Sequence, residues 1–325
     1  MDITDIFKIE NEEEFNKIAI STFHKQYRYI KIYKKYLDTR SVDINSISHY
    51  TEIPFLPVEF FKSFEIKPPT QKTQKIFMSS GTTNSTRSKH HVTDLKLYEM
   101  SFYKAFQRNY GNPKDWIILS LLPSYIEQGD SSLIYMVNDL MKKTNNKNSQ
   151  FVNIEQKNLS SIFNKLINKK VLLIGVSFAL LDLAELFNFN LSNWIIMETG
   201  GMKGRRKEII RTELHTTLKK AFKSDKIHSE YGMTELLSQA YSSENGVFST
   251  PPWMKVLVRE VNDPFNYIKD GKTGGLNIID LANQNSCSFI ETKDLGRITN
   301  SNEFEISGRF DQSEIRGCNL LSITN

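Results

Sequence analysis

The chain has 325 residues and a formal net charge of +5, and 39% of its residues are hydrophobic. This apolar fraction, with 21 Phe and 13 Tyr, excludes a fully disordered chain and is enough for one large α/β domain or two ordinary ones. The excess of 42 Lys and Arg over 37 Asp and Glu is too small to indicate a nucleic-acid partner. Two cysteines cannot form a disulfide scaffold for this length, and their scarcity indicates a reducing compartment.

Neither the N-terminal segment nor the most apolar stretch has the pattern of a targeting or membrane segment. Residues 1–15 are acidic and amphipathic, whereas a signal peptide begins with basic residues and an apolar run. The stretch from Val171 to Phe187 contains Asp182 and Glu185 and is shorter than the roughly 20 apolar residues that span a bilayer. We therefore expect a cytoplasmic protein without membrane insertion.

The first forty residues predict helix, because apolar side chains recur at near-helical spacing. A short strand is predicted at Lys75–Met78, before a loop of hydroxyl residues from Ser79 to Thr86. A helix is predicted from Asp94 to Tyr110, with Thr93 or Asp94 as its N-cap.

From residue 116 onward, apolar runs of strand type alternate with helical patterns, which predicts a largely parallel sheet with helices on its faces. After Met254 the runs become short and are separated by Gly and Asn turns, which predicts an antiparallel subdomain. The predicted strands are Trp116–Leu122, Val171–Ile174, Trp194–Glu198 and Ile227–Glu230, and the predicted helices are Ser131–Lys142, Ile162–Asn168, Ala179–Phe187 and Lys207–Phe222.

The first segment with recognisable chemistry is Phe77–Arg87, where a strand leads into a loop rich in Ser, Thr and Gly. Backbone N–H groups and hydroxyls in such a loop can hold phosphate oxygens. The segment lacks the Gly-Lys-Ser/Thr ending of a P-loop, so it is not that motif. Because the composition is also ordinary for a solvated loop, the segment alone leaves both interpretations open.

Four further segments carry chemistry only in combination. Paired glycines in Glu198–Gly204 allow a flat ligand to approach closely, or simply make a tight turn. Glu230–Glu235 presents a Tyr ring for stacking on a base, a Thr hydroxyl for a phosphate and a carboxylate for Mg²⁺. The remaining two segments are Asp294–Arg297 and Gly308–Asp311.

The order and spacing of SSGTT, TGG, YGMTE, DLGR and GRFD, from Ser79 to Asp311, resemble the adenylate-forming superfamily of acyl- and aminoacyl-activating enzymes. Within it, Thr199–Arg205 and Ser313–Leu320 resemble the acyl-protein synthetase (LuxE-type) family. The resemblance implies that a carboxylic acid, first of all a fatty acid, reacts with ATP to give an acyl-adenylate. The acyl group is then held on a cysteine near the C-terminus, a place where only Cys318 stands, and passes to a partner protein such as a reductase or carrier.

The implied fold is α/β, the large N-terminal body of an adenylate-forming enzyme, in which helices flank mixed and parallel sheets. We expect this body at residues 1–250, an antiparallel β subdomain at 251–308, and a hinge-like tail with Cys318 at 309–325. The chain ends fourteen residues after Asp311, so we expect it to lack the mobile C-terminal domain that carries the adenylation lysine. That expectation argues against a CoA ligase with a rotating domain.

The resemblance also implies a role for each matching residue. Thr234 would contact the α-phosphate, Glu235 would bind Mg²⁺, Asp294 would hold the ribose hydroxyls, and Arg309 would bind ribose and phosphate. The implied catalytic residues are Thr234, Glu235, Arg309 and Cys318. Pro123 to Tyr125 resembles the border of the acyl pocket. Phosphate binding is assigned to Ser79, Ser80, Gly81, Thr82 and Thr83, and the adenine pocket to Thr199, Gly200, Gly201 and Tyr231 with Gly232 beside it.

Several alternatives stay open. The phosphate loop lacks the usual Pro-Lys-Gly ending, so Arg87 or Lys89 is expected to supply the cation. Cys318 is either the acyl acceptor, with Arg316 favouring its thiolate, or a structural thiol. The histidines at 90 and 91 either contact the phosphate loop or are ordinary surface or core groups. No role is assigned to Cys287, and no spacing matches a zinc site.

Two other functions fit the same residues. The chain is either an acid–CoA or acid–carrier-protein ligase that uses the thiol acceptor directly, or a catalytically inactive nucleotide-binding scaffold. The presence of Tyr231, Thr234, Glu235, Asp294 and Arg309 in one chain argues against loss of catalysis.

Overall fold

The structure is a computed structural model that describes residues 3–80, 86–122, 129–202, 205–207, 209–263, 266–268 and 271–310. A polar side chain caps the first turn of three of the described α-helices, those that begin at Glu12, Leu95 and Ser132. Asp94 Oδ1 accepts the N–H of Leu97, and Ser131 Oγ accepts the N–H of Ile134. The α-helices are α1 Glu12–Tyr29, α2 Lys31–Thr39, α3 Phe60–Ser63, α4 Leu95–Tyr110, α5 Ser132–Thr144, α6 Leu159–Leu166, α7 Ser177–Leu186 and α8 Arg211–Phe222.

Three short 3₁₀ helices lie at Ile3–Lys8, Tyr50–Glu52 and Pro113–Asp115. None of the helices in the described ranges has the length and apolar character that crossing a bilayer requires. The strands are β1 Leu56–Pro57, β2 Lys75–Met78, β3 Lys89–Val92, β4 Ile117–Leu121, β5 Gln150–Phe151, β6 Val171–Val176, β7 Ile195–Thr199, β8 Ile227–Tyr231, β9 Ala240–Ser242, β10 Val247–Ser249, β11 Met254–Arg259, β12 Gly274–Asp280, β13 Phe289–Asn300 and β14 Glu303–Arg309.

One sheet contains all of these strands except β2 and β3, which pair as a separate hairpin. Its order is β11-β12-β13-β14-β10-β9-β8-β7-β6-β4-β5, and β1 pairs with β13. The part from β8 to β5 is parallel, and every residue of β4 and β6 is buried, as expected for strands covered on both faces. Helices α5, α7 and α8 contact β4, β6 and β8 respectively.

The antiparallel part continues the same sheet from β8 through β9 and β10 to the four strands after residue 253. In the sheet order β9 and β10 lie between β8 and β14, and the hydroxyl of Tyr231 at the end of β8 reaches Asp294 on β13. The segments that end in Thr199 and Tyr231 therefore lie near Asp294 and Arg309, although up to 110 residues separate them along the chain.

The predicted strands and helices named above are found within a few residues of their expected bounds. Six strands were not predicted: β1, β3, β5, β9, β10 and β13. Of these, β3 pairs with β2, and the twelve residues of β13 include Asp294. The domain boundaries at 250 and 308 stay predictions.

Candidate active site

Tyr231, Asp294 and Arg309 form the centre of the candidate site. The Tyr231 hydroxyl donates a hydrogen bond of 2.7 Å to Asp294 Oδ2, and Arg309 Nε lies 3.2 Å from Asp294 Oδ1. Burial raises the pKa of Asp294, and the Arg309 charge and the Tyr231 hydrogen bond act in the opposite direction. Arg309 keeps 66% of its side chain exposed. A guanidinium held by one edge and open on the other can also bind an anionic ligand.

Glu235 lies next to this centre, at the end of the YGMTE segment. Its carboxyl group is buried, and the Ser88 hydroxyl, from the strand hairpin of the phosphate loop, hydrogen-bonds to it. Burial raises the pKa of Glu235, against the effects of Ser88 and of Arg309. The segment that contains Glu235 and the segment after the phosphate loop therefore meet directly.

Backbone carbonyl oxygens of the YGMTE segment are held by two side chains. His90 Nδ1 is 2.8 Å from the Thr234 carbonyl oxygen, and Asn283 Nδ2 donates to the Glu235 carbonyl oxygen at 2.8 Å. The two side chains also meet each other, with His90 Nε2 at 3.1 Å from Asn283 Oδ1. Burial lowers the pKa of His90 to about 4, so its imidazole is neutral at pH 7.

Asp280 anchors the chain directly after Glu235. Its carboxylate accepts the backbone N–H groups of Leu237 at 2.7 Å and Ser238 at 2.9 Å, together with the Ser238 hydroxyl at 2.6 Å. The N–H of Ala282 donates to it as well, at 3.1 Å. Four donors offset the cost of burying this charge, so the turn that carries Glu235 is rigidly placed.

Two buried glutamates lie behind the site at the ends of β7 and β8. The Thr199 hydroxyl donates to Glu230 Oε2 at 2.5 Å, in line with the parallel register that pairs the two residues. Burial and, to a smaller extent, the neighbouring Glu198 charge raise the pKa of Glu230 to about 7, against the effect of the Thr199 hydrogen bond. A carboxyl group with such a pKa is partly protonated under ordinary conditions.

Glu198 behaves in the opposite way, although it is equally buried. Burial alone would raise its pKa, but hydrogen bonds from His215 and Ser229 and the charge and hydrogen bond of Arg211 lower it to about 2. Arg211 Nε lies 2.9 Å from Glu198 Oε1. Glu198 is therefore the charged member of the pair and Glu230 the protonated one.

Glycines shape the two loops that follow these strands. Gly200 and Gly201 have φ values of 75° and 71°, which L-residues with a side chain rarely adopt, and the side on which a Cβ of Gly201 would lie is open. Position 232 requires glycine because of limited space, since a Cβ at Gly232 would lie 2.6 Å from Glu230 Oε1.

The base of the phosphate loop is closed by an ion pair. Arg87 binds both oxygens of Asp130, at 3.1 and 3.0 Å, and its Nε donates to the Ser79 carbonyl oxygen. The Ser79 hydroxyl accepts the N–H of Ser88 at 2.9 Å. Of the two cations expected at the phosphates, Arg87 is thus engaged at the base of the loop, and Lys89 is exposed on β3.

The structure brings the described site residues of the sequence analysis together: Ser79 and Ser80 at the loop base, Thr199 to Gly201 after β7, Tyr231 to Glu235 after β8, and Asp294 and Arg309 on β13 and β14. The Tyr231 ring is packed edge-on against Phe248 and Phe304, and its hydroxyl reaches Asp294. Residues outside the described ranges are Gly81, Thr82, Thr83, Pro123 to Tyr125, Lys203, Asp311, Arg316 and Cys318.

Residues that the sequence analysis did not assign to the site are Glu230, Glu198, Asp280, Asn283 and Ser88. A sequence signal exists for the first two, since a glutamate at the end of an apolar strand must be paired or protonated. Cys287 is buried and the pKa of its thiol is raised by burial to about 12, consistent with the absence of a role. Within the described ranges no group of three or more His, Cys, Asp or Glu could hold a metal ion.

No protein-family model matches the sequence, and no curated protein matches it. Solved structures resemble its fold. A 2-hydroxyisobutyryl-CoA ligase, in an open conformation with 2-HIB-AMP and CoA, has a TM-score of 0.68 and 10% identity, over 93% of this chain and 70% of the ligase.

Two further structures resemble the chain over a shorter length. MatB from Rhodopseudomonas palustris, bound to ATP, has a TM-score of 0.54 and 14% identity, over 72% of this chain and 47% of MatB. The O-succinylbenzoate coenzyme A synthetase MenE from Bacillus subtilis, with AMP, has a TM-score of 0.50 and 16% identity, over 74% of this chain and 50% of MenE. The chain thus spans about half the length of these two proteins.

These similarities define the fold. The expected fold class is confirmed: the chain has the mixed α/β architecture of the N-terminal body of adenylate-forming enzymes.

Proposed function

We propose that the chain activates a carboxylic acid with ATP to an acyl-adenylate, transfers the acyl group to Cys318, and passes it to a partner protein. A fatty acid is the first candidate for the acid. The observation that carries the proposal is the meeting of Tyr231, Glu235, Asp294 and Arg309 in one site of an adenylate-forming fold. These residues come from three separate segments, and no requirement of core packing alone places a tyrosine, two acids and an arginine there.

In the first step a carboxylate oxygen of the acid attacks the α-phosphorus of ATP, and the bond to the β-phosphate breaks, which releases pyrophosphate. Asp294 would accept hydrogen bonds from the ribose hydroxyls, because each of its oxygens retains a second lone pair beside Tyr231 and Arg309. The exposed edge of Arg309 would contact the phosphate, and the Thr234 hydroxyl would donate to an α-phosphate oxygen. Fixed donors of this kind stabilise the charge that develops in the transition state.

The donor set fits a magnesium ion. Hard oxygen ligands suit Mg²⁺, which is usually held by one or two carboxylates together with substrate phosphates. Glu235 would hold the ion, and Ser88 keeps its carboxyl group oriented. Bound with ATP, Mg²⁺ would offset the repulsion between the two anionic reactants.

In the second step a thiolate attacks the acyl carbonyl carbon, a thioester forms and AMP leaves. We propose the Cys318 thiolate for this role on the resemblance of Ser313–Leu320 alone. Direct transfer to CoA or to a carrier thiol is the second candidate. The 2-hydroxyisobutyryl-CoA ligase structure favours it, because that structure contains CoA and resembles 93% of this chain in fold.

The proposal is tested by incubating the protein with Mg-ATP and a panel of fatty, aryl and hydroxy acids, and recording intact mass. A hydroxylamine-labile acyl adduct on the wild type, absent from Cys318→Ser, is the expected result. AMP and pyrophosphate without an adduct would move the acceptor to CoA or a carrier. CoA-stimulated turnover that survives Cys318→Ser would select the second candidate.

Glu235→Ala separates catalysis from a scaffold role. We expect this variant to lose ATP–pyrophosphate exchange, and Glu260→Ala, a change of an exposed glutamate outside the site, to retain it. ATP binding by the wild type without exchange on any acid would support a nucleotide-binding scaffold and contradict the proposal.

A further inference from the structure

Basic residues are concentrated in the part of the helical hairpin α1–α2 that follows the acidic first turn of α1, Glu12 to Glu14. Residues 17–40, most of α1 and α2, contain seven Lys and Arg and one acid, a formal charge of +6 in a chain whose total is +5. The rest of the chain therefore has a net charge of −1. The basic residues are Lys17, Lys25, Arg28, Lys31, Lys34, Lys35 and Arg40, and the acid is Asp38.

Most of this charge faces solvent. All of these basic side chains except Lys25 are exposed, and Lys34 is paired with Asp38 at 2.7 Å. Lys25 is half-buried with its Nζ at 3.4 Å from Gln284 Oε1, a neutral amide, and burial lowers its pKa. A surface with this excess of positive charge attracts and steers acidic partners.

An open groove of about 490 Å³ runs along the hairpin. The cationic Arg28 and Lys34 line it together with His24, Tyr27, the apolar Val42 and Ile44, and the polar Asp43 and Asn45. Tyr29, next to Arg28, has an exposed ring. Cations around a partly apolar groove with a nearby aromatic ring form a surface typical of protein recognition.

The inner side of the same helix is connected to the candidate active site. Gln26 is buried, and its Nε2 donates to the Asn283 carbonyl oxygen at 3.0 Å and to Ser288 Oγ at 2.9 Å. Asn283 in turn holds the Glu235 carbonyl oxygen and contacts His90. A partner on the outer side of α1 is thus two residues away from the turn that carries Glu235.

From these observations we infer that the hairpin α1–α2 is the docking surface for an acidic protein, which, on the proposed function, is the acyl acceptor. A duplex nucleic acid fits less well, because its phosphate backbone needs an extended basic surface and the chain outside residues 17–40 has a net charge of −1. A membrane surface also fits less well, because Tyr29 is the one large apolar side chain with high exposure among the described residues of the hairpin. Acidic side chains complement the groove and steer association.

Charge reversal tests the inference. The triple variant Arg28→Glu, Lys31→Glu, Lys35→Glu changes exposed residues that lie outside the site. The matched control is Lys169→Glu, Lys220→Glu, Lys226→Glu, which reverses three exposed lysines elsewhere. The probes are fluorescein-labelled polyglutamate and a holo acyl carrier protein, an acidic helical protein with a thiol arm. Binding is measured by fluorescence anisotropy at low and at physiological salt.

We expect both probes to bind the wild type and the control, and the hairpin variant to bind them at least about tenfold more weakly. Exchange of ATP and pyrophosphate should stay within about twofold in all three proteins, because no catalytic group is changed. Equal binding by the hairpin variant, no binding of either probe to the wild type, or tighter binding of phosphatidylglycerol vesicles or duplex DNA would overturn the inference. Charge-dependent probe binding without exchange on any acid would instead reject the proposed function and leave the docking surface in place.

Discussion

The Tyr231 hydroxyl donates to Asp294 Oδ2 at 2.7 Å, and this bond joins the end of β8 to the middle of β13. Both groups are buried, and Arg309 holds the other oxygen of the same carboxyl group. Tyr231 therefore orients the carboxylate that we propose for the ribose hydroxyls, while its ring is packed against Phe248 and Phe304. On the proposed function, Tyr231 would position Asp294 as well as border the nucleotide.

Removing this hydroxyl should weaken ATP binding more than catalysis. For Tyr231→Phe we expect KM for ATP to rise about tenfold with kcat nearly unchanged, because a hydrogen bond to a charged group contributes about 1.5 kcal/mol. The matched control is Tyr33→Phe, which removes a buried hydroxyl that donates to the Pro54 carbonyl oxygen far from the site. An equal rise of KM in both variants would show a general effect of lost stability.

A prediction for His90 depends on which of its two ring nitrogens carries the proton and donates a hydrogen bond. The neutral ring carries one proton, and the shorter contact, from Nδ1 to the Thr234 carbonyl oxygen, places it there. Asn at this position presents its amide where Nδ1 lies, whereas Gln presents its amide near Nε2. We expect His90→Asn to keep at least about half of the ATP–pyrophosphate exchange rate and His90→Gln to lose about tenfold.

The measurement is exchange at saturating acid, with the melting temperature of each variant recorded. If His90 had only a structural role, the exchange rate of each variant would fall in proportion to its loss of melting temperature. Better retention in His90→Gln than in His90→Asn would contradict the assignment of the proton to Nδ1.

Local sequence signals predicted those elements whose cause is local. The apolar run of β6 and the Asp94 cap of α4 needed no distant partner to be recognised. In β13, by contrast, acids and bases interrupt the apolar pattern, because Asp294 on its buried face is a polar site residue. The strand that carries the ribose-site candidate was missed because of the polar residue that we propose for that site.

Contacts across the sheet could not be predicted in this way. The pairing of Thr199 with Glu230 depends on the register of β7 against β8, and that of Gln26 with Asn283 on how α1 packs against the turn after β12. The sequence shows Glu230 but does not show that the Thr199 hydroxyl hydrogen-bonds to it. Burial and register decide its pKa, and both are properties of the folded chain.

We expect the Asp280 carboxylate to stabilise the turn after Glu235. In Asp280→Asn one oxygen becomes an NH₂ group that faces the N–H donors of Leu237, Ser238 and Ala282. We expect a loss of about 2–4 kcal/mol in the free energy of unfolding, since buried donors lose their acceptor and meet another donor. Urea denaturation measures it, with the exposed Asp225→Asn as control. A loss below about 1 kcal/mol would show that the turn is held by other contacts.

Glu230 should make the folded chain less stable as pH rises, because its pKa is higher in the folded than in the unfolded chain. A glutamate with the same pKa in both states would not have this effect. Burial, reinforced by the Glu198 charge, raises its pKa from 4.5 to about 7 in the folded chain. Below pH 4.5 the group is protonated in both the folded and the unfolded chain. Between these values the folded chain binds more protons, so the stability that Glu230 contributes is full at low pH and is lost as pH rises to about 7.

Glu230→Gln removes this titration and retains an oxygen that can accept the Thr199 hydrogen bond. We expect the variant to gain stability relative to the wild type as pH rises from about 5 to about 8, by up to about 3 kcal/mol, and thermal or urea unfolding at both pH values measures the difference. His90 and His228, whose pKa values burial lowers to about 4, add an opposite slope below pH 6.5. Both proteins share that slope, so it cancels in the comparison. Glu198, with a pKa of about 2, stays ionised throughout. A stability difference that is constant over this range would mean that Glu230 is ionised in the folded chain at low pH as well, beside the ionised Glu198, and would contradict its raised pKa.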